Sequence, residues 1–410
     1  MNMKNMLEKY ALLAVKKGIN LQKNQVLLIN SPIECSNFAQ VIAEIAYKEG
    51  AKEVIVHYSD QKLQRLKLKY ASIDTLMEVP NWITESYTSY VKEGCAVISI
   101  SGSNPDAYKD IPMEKIAIFQ KHRQLALKEY YDYSMANKIR WTVVAVPTEA
   151  WALKVFKDSN SEKAVSKLWE VIFNVTRLDT EDVIEVWDKH NNNINKKLEF
   201  LNSKKFTKLY YKNSKGTNLT IELPDDHIWL GGAEKCTLGI EFNANIPTEE
   251  VFTLPKKTGV NGKVVSSKPL SYGGNLIDNF SLTFKDGKVI DFTAEEGLDT
   301  LKELLNSDEG SKYLGEVALV PFDSPISNSN LIFYNTLFDE NAACHLAFGK
   351  AYPTCIVDGE NLNNEELSKR GANTSIIHED FMIGTEDLDI TGYTSDNTEI
   401  KIFTSGNWAF

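Results

Sequence analysis

The chain has 410 residues, 43% hydrophobic and 25% charged, with a formal net charge of -11 and a pI near 5.2. These are the proportions of a globular chain with a substantial core, and at about 100–200 residues per domain they predict two or three domains. The acidic balance excludes a general nucleic-acid binder, which needs a basic face to displace phosphate counterions.

The first ~150 residues read as alternating helix and strand. A helix over Met6–Lys17 is expected to stop at Gly18. Gln25–Asn30 is a short apolar strand, and Asn37–Lys48 a helix with Gly50 as its C-terminal stop. Glu53–His57 is a second apolar strand, so strand, helix and strand form a parallel crossover unit. Cys95–Ser101 and Arg140–Val146 read as further buried strands of the same sheet. The turn after Ser101 lacks a Gly-x-Gly-x-x-Gly pattern and the chain has no Walker-type loop, which counts against nucleotide use.

A helix over Glu162–Val175 leads to the polar stretch Asp188–Lys197, the best boundary candidate, which also reads as a solvated helix face. The expected domains are therefore 1–190 and 191–410. Beyond the boundary, Lys208–Lys212, Leu219–Leu223 and Phe280–Ile290 alternate like half-buried strands, with a hairpin signal at Asp286-Gly287. Helices are expected near Glu296–Asn306 and over Asp339–Phe348, the latter capped by Asp339 and stopped by Gly349.

The five cysteines are widely spaced with no Cys-x-x-Cys pair, as in a reducing compartment. The N-terminus interleaves Lys and Glu with apolar residues and lacks the apolar run of a signal peptide. No segment approaches the about 18 apolar residues of a membrane span. A cytoplasmic protein with no membrane partner is expected.

Acids and histidines gather in the second half. Glu249 and Glu250 are adjacent, so in an extended chain only one can serve a given site. Glu316 opens an apolar strand, where a carboxylate must be paired, protonated or metal-bound unless it sits at an exposed end. His345 lies among small apolar residues, a setting that also suits a core histidine. Glu340, five residues before it, lies about 140° round an ideal helix, so the two do not share a face. His378 and Asp380 project from one face of an apolar strand, as metal ligands or as a hydrogen-bonded pair. Carboxylates with two histidines suit two divalent ions such as Zn, Mn or Co bridged by a carboxylate and water, and hydrolysis of an amide or ester.

Ile100–Pro105, Val146–Trp151, Asn245–Thr253, Asn341–Gly349, Ala351–Pro353 and His378–Gly384 follow one another in the order of a known family. Over essentially its whole length the chain resembles the thermophilic-type metalloaminopeptidases, aminopeptidase T and aminopeptidase S. The resemblance implies an α/β N-terminal domain with a largely parallel sheet and an α+β C-terminal catalytic domain with antiparallel strands. It implies six metal ligands, Glu250, Glu316, Glu340, His345, His378 and Asp380, and an active-site tyrosine at Tyr352. It also implies two divalent metal ions per chain, peptide substrates with a free N-terminus, and a homodimer enclosing its active sites. Glu316 is the expected bridging carboxylate and Tyr352 the donor to the developing oxyanion. The rival reading is a non-catalytic binding or assembly protein that keeps the fold and a structural ion.

Overall fold

The computed structural model describes residues 3–410. They divide into two compact units: the chain up to Asn192 with Gly232–Thr248, and Asn193–Gly231 with Glu249–Phe410. No helix among the described residues is long and apolar enough to cross a membrane.

The first unit is built on a four-stranded parallel sheet in the order Glu53–Ser59, Val26–Pro32, Ala96–Ser101, Trp141–Ala145. These are the Val- and Ile-rich runs of the sequence; the middle strands Val26–Pro32 and Ala96–Ser101 are mostly buried and need no polar alternation, whereas the edge strand Glu53–Ser59 has no fully buried residue. The helix Ser36–Lys48 buries Phe38, Ala39, Ile42 and Ala46, one stripe at helical spacing. Gly50, at φ +96°, turns the chain beyond its end.

The polar stretch Asp188–Lys197 is interior to one long helix, Val183–Lys204. Val183, Trp187, Asn191, Ile194 and Leu201 are buried along it at helical spacing, and the intervening polar residues face outward. Asn191 repays its burial by exchanging amide hydrogen bonds with Asn243 at 3.1 and 3.0 Å.

The second unit contains an eight-stranded sheet that includes Lys208–Lys212, Asn218–Glu222 and the hairpin Ser281–Lys285 with Lys288–Thr293. Asp286 and Gly287, at φ +49° and +84°, make the two-residue turn whose twist suits a hairpin. The helix Leu298–Leu305 stands within the expected span. A parallel-sheet α/β portion followed by an antiparallel α+β portion is thus the observed fold class.

One expected element is absent. Asp339–Phe348 is not a helix: a helical turn at Thr336–Asp339 and a 3-10 turn at Glu340–Ala342 give way to an extended strand, His345–Gly349. That strand is paired on both edges, with Leu314–Leu319 and with His378–Met382. Two ladders of hydrogen bonds override any local helical preference of the run Ala-Ala-Cys-His-Leu-Ala-Phe. Asp339 does not cap a helix there; its carboxylate accepts the N–H groups of Phe333 and Asn335 at 3.0 and 3.1 Å.

Candidate metal centre

A five-stranded antiparallel sheet carries the site, in the order Leu230–Gly231, Val251–Thr253, Leu314–Leu319, His345–Gly349, His378–Met382. Its register explains why the acids and histidines converge. Phe252 stands opposite Ala318, Ala318 opposite His345, and Glu316 opposite Ala347, which in turn faces Asp380. Residues opposite one another share a face, as do residues two apart on a strand. Glu250, Glu316, His345, His378 and Asp380 therefore lie on one face. The alternate residues Val317, Leu319, Leu346, Phe348 and Phe381 fill the hydrophobic core on the other.

The ligand face is cleared by small residues: Ala318, Ala347 and Gly349 stand between the functional side chains. Two groups of side chains converge there with ligand atoms within 4.8 Å of one another: Glu250, Glu316 and His345, and then Glu316, His378 and Asp380. Glu316 belongs to both. Its Oε1 lies 3.4 Å from His345 Nε2, and its Oε2 lies 3.4 Å from His378 Nε2. Glu250 Oε2 is 3.2 Å from His345 Nε2, and Asp380 Oδ1 is 3.6 Å from His378 Nε2.

Both imidazoles are oriented from behind. His345 Nδ1 lies 3.2 Å from the carbonyl oxygen of Ala343, and His378 Nδ1 lies 2.7 Å from that of Lys350. A carbonyl only accepts, so each Nδ1 carries a proton and each Nε2 is directed at the acids. A carbonyl behind the ring fixes the tautomer and leaves the Nε2 lone pair of a neutral imidazole available to a metal. The carbonyl of Lys350 reaches its place because residue 315 is glycine. Gly315 occupies a register shift in its strand, and a Cβ there would sit 2.5 Å from that oxygen.

Glu340 belongs to neither group of three, but its carboxyl shares a hydrogen bond with Asp380. The 3-10 turn that carries it is tied to the acidic turn by Asn341, a fully buried residue that sequence reasoning missed. Asn341 Oδ1 accepts the N–H of Glu249 at 2.7 Å, while its amide nitrogen donates to Leu337 O at 2.9 Å and to Glu340 Oε1 at 3.3 Å. One side chain thereby sets the spacing between the segments that bear Glu250 and Glu340. Tyr352 stands beside the site, its ring centroid 4.8 Å from that of His378 and 5.7 Å from that of Phe252.

The electrostatics are those of acids crowded into a dry place. Burial pushes the Glu340 carboxyl well above its ordinary range, and the charges of Asp380 and Glu250 push the same way. Burial also raises Glu250 and Asp380, against the pull of His345 and His378 respectively. Burial opposes ionisation of Glu316 too, but the hydrogen bonds from both imidazoles win and hold it at about 2. His378, despite burial, is lifted to about 9 by Asp380 and Glu316. His345 is raised by Glu250 and Glu316 against its own burial.

Without cations, protons must balance this cluster. Asp380 Oδ1 is buried with no hydrogen-bond partner. Four buried or half-buried carboxylates facing two oriented imidazoles form a donor set rich in oxygen with some nitrogen. That set fits divalent cations of the Zn, Mn or Co type. The residues present therefore fit a metal centre. The five buried cysteines form no disulfide, and none joins the cluster.

The family model described as thermophilic metalloprotease (M29) matches residues 3–408. Aminopeptidase 2 of Geobacillus stearothermophilus is 50% identical over 404 residues, covering 98% of each chain. Aminopeptidase T of Thermus thermophilus is 41% identical over 409 residues, covering 99% of this chain and 98% of that one. The solved structure of wild-type AmpT from Thermus thermophilus superposes with a TM-score of 0.91 at 40% identity, covering 99% of this chain and 100% of the other.

Proposed function

The chain belongs to the thermophilic metalloprotease (M29) family and is a metalloaminopeptidase, and from that premise we propose a dinuclear mechanism for it. In this reading Glu250, Glu316, Glu340, His345, His378 and Asp380 hold two divalent ions, Zn, Co or Mn, with Glu316 as the bridging carboxylate. The observation that supports it best is that each oxygen of Glu316 faces a different imidazole. One carboxylate is thus shared by two three-residue groups.

When bound, two such ions supply positive charge that polarises the scissile carbonyl and a shared water activated toward neutral pH. The chain's own residues do the rest. The carbonyls of Ala343 and Lys350 keep both Nε2 atoms directed inward, so the imidazoles need no reorganisation. The Tyr352 hydroxyl donates a hydrogen bond to the oxyanion that develops on the peptide carbonyl. The small residues of the ligand face leave room for the peptide N-terminus, whose ammonium is attracted by the surrounding carboxylates. The natural substrates are then peptides with a free N-terminus, and the products a free amino acid and a shortened peptide.

Five buried cysteines with no disulfide among them support a cytoplasmic setting. A homodimer is part of the same proposal and is read by sedimentation or size-exclusion mass. Activity is tested with amino-acid anilides: chelation should abolish cleavage, and Zn, Co or Mn should restore it. Retained metal without hydrolysis of any free-N-terminus peptide would instead establish the non-catalytic reading.

A further inference from the structure

The first unit carries a polar row where a buried parallel sheet should be apolar. Asn30 stands in register with His57 on one neighbouring strand and with Ser99 on the other. The three side chains therefore lie side by side on one face, at the carboxyl ends of their strands. Two residues earlier the same row is Ile55, Leu28 and Val97, packed in a core cluster with Tyr87 and Tyr130. Packing explains that apolar row and leaves the polar one unexplained.

The row lines a cavity of about 870 Å³. The sheet order places it at a switch point: the chain leaves Val26–Pro32 for a neighbour on one side, then crosses to Ala96–Ser101 on the other. The crevice outside the carboxyl ends at such a point is where open α/β sheets bind ligands. The polar groups facing the cavity are linked but not satisfied. The Asn30 amide nitrogen donates to Ser99 Oγ and Tyr130 Oη, both at 3.3 Å. Asn30 Oδ1 and His57 Nδ1 are buried without a partner. The His57 ring packs 4.6 Å from that of Tyr87, and Tyr87 lies 5.1 Å from Tyr130. Arg123 lines the same cavity as Tyr87 and, among the described residues, no ion pair joins it to a carboxylate. Burial, and then the charge of Arg123, lower the His57 pKa, which keeps that imidazole neutral and able to accept.

The requirements are specific. Arg123 calls for a carboxylate or another anion. Asn30 Oδ1 can only accept, so it calls for an N–H or O–H donor. At the mouth, Leu63 and Trp82 are 63% and 69% exposed, an apolar surface for a side chain. We propose that this cavity binds a free α-amino acid with an apolar or aromatic side chain, its carboxylate on Arg123 and its amino group on Asn30. Such molecules are also products of the proposed peptidase reaction, which would make the cavity a product-sensing site. The binding claim itself stands on first-unit residues alone, so a failed peptidase assay leaves it standing.

The test is titration of the metal-loaded protein with L-phenylalanine, read by calorimetry and by the His57 imidazole resonance, assigned with His57→Gln. Binding at the metal centre would not move that resonance. The resonance should shift saturably, and Arg123→Gln and Asn30→Ala should each weaken the binding at least tenfold without changing kcat/KM on an anilide substrate. L-phenylalaninamide and 3-phenylpropionate, which lack the carboxylate and the amine, should both fail to shift it. If a variant does not fold, the wild-type resonance and the two analogues still decide. Phenylalanine binding that leaves His57 unmoved would overturn the proposal. So would inorganic phosphate saturating the site where phenylalanine does not.

Discussion

Ala347 stands in register with Glu316 on one neighbouring strand, and with Asp380 on the other. A methyl group is thus all that separates two carboxylates of the candidate centre along that row. Ala347→Val places two more methyl groups between them. The fold should survive, at a cost of about 1–3 kcal/mol for overpacking. Metal content by elemental analysis should fall well below that of the native protein. A variant that retains full metal would mean the carboxylates are not converging through this gap.

Asn341 holds two acid-bearing segments at a fixed spacing. Asn341→Ala removes that tie and leaves the half-buried Glu249 N–H without it. Losses of about 10–100-fold in metal affinity or activity are expected, the usual effect of removing a hydrogen bond that orients a ligating carboxylate. Metal titration followed by anilide hydrolysis separates the two effects. Unchanged metal affinity and activity would remove Asn341 from the account.

Gly315 permits the approach of the Lys350 carbonyl to its strand, and that carbonyl orients His378. Gly315→Ala should therefore weaken one ion more than the other. A two-step metal titration should show one affinity reduced and one preserved. Equal loss of both would point to general damage to the sheet.

Tyr352→Phe deletes one hydroxyl beside His378 and keeps the ring contact. If the hydroxyl meets the developing oxyanion, kcat should fall by about 10²-fold with KM little changed. A rise in KM with kcat preserved would place Tyr352 in substrate binding instead.

The pH dependence of the metal-free protein has a definite sign. Asp380 and Glu316 lift His378 from its ordinary 6.5 to about 9, against burial. A raised pKa contributes stability that is fully present below 6.5 and is lost as the pH rises through about 9. The raised carboxyls of Glu250 and Glu340 act in the same direction. Divalent ions compete with these protons and bind better as they leave. The gap in Tm between metal-loaded and chelated protein should widen from pH 6.5 to 9. A constant gap would contradict this assignment.

The legible parts of this site were those with local causes. Glu316 is conspicuous because it enters an apolar strand, and His378 with Asp380 because two-residue spacing on a strand sets them on one face. The four parallel strands were visible for the same reason, as unbroken apolar runs. His345 was harder. Its neighbours are small and apolar without a clear period, and only pairing with two distant strands makes the segment extended. The 140° mismatch between Glu340 and His345 follows from assuming one helix; in the fold they sit on a turn and a strand. Asn341, the Lys350 carbonyl and the row His57, Asn30, Ser99 were invisible because each acts across segments far apart in the chain, through a register that no single segment encodes.

Two ions that share Glu316 and perform the hydrolysis stand at the heart of the proposed mechanism. Its most direct test is a titration of chelated protein with Zn, Co or Mn that records, in one sample, ions bound per chain and cleavage of a free-N-terminus peptide. Saturation is expected at two ions per chain, with activity returning as they bind, and a loss of both in Glu316→Gln. Full hydrolysis in the chelated protein, or a Glu316→Gln variant that still binds two ions and cleaves normally, would contradict it.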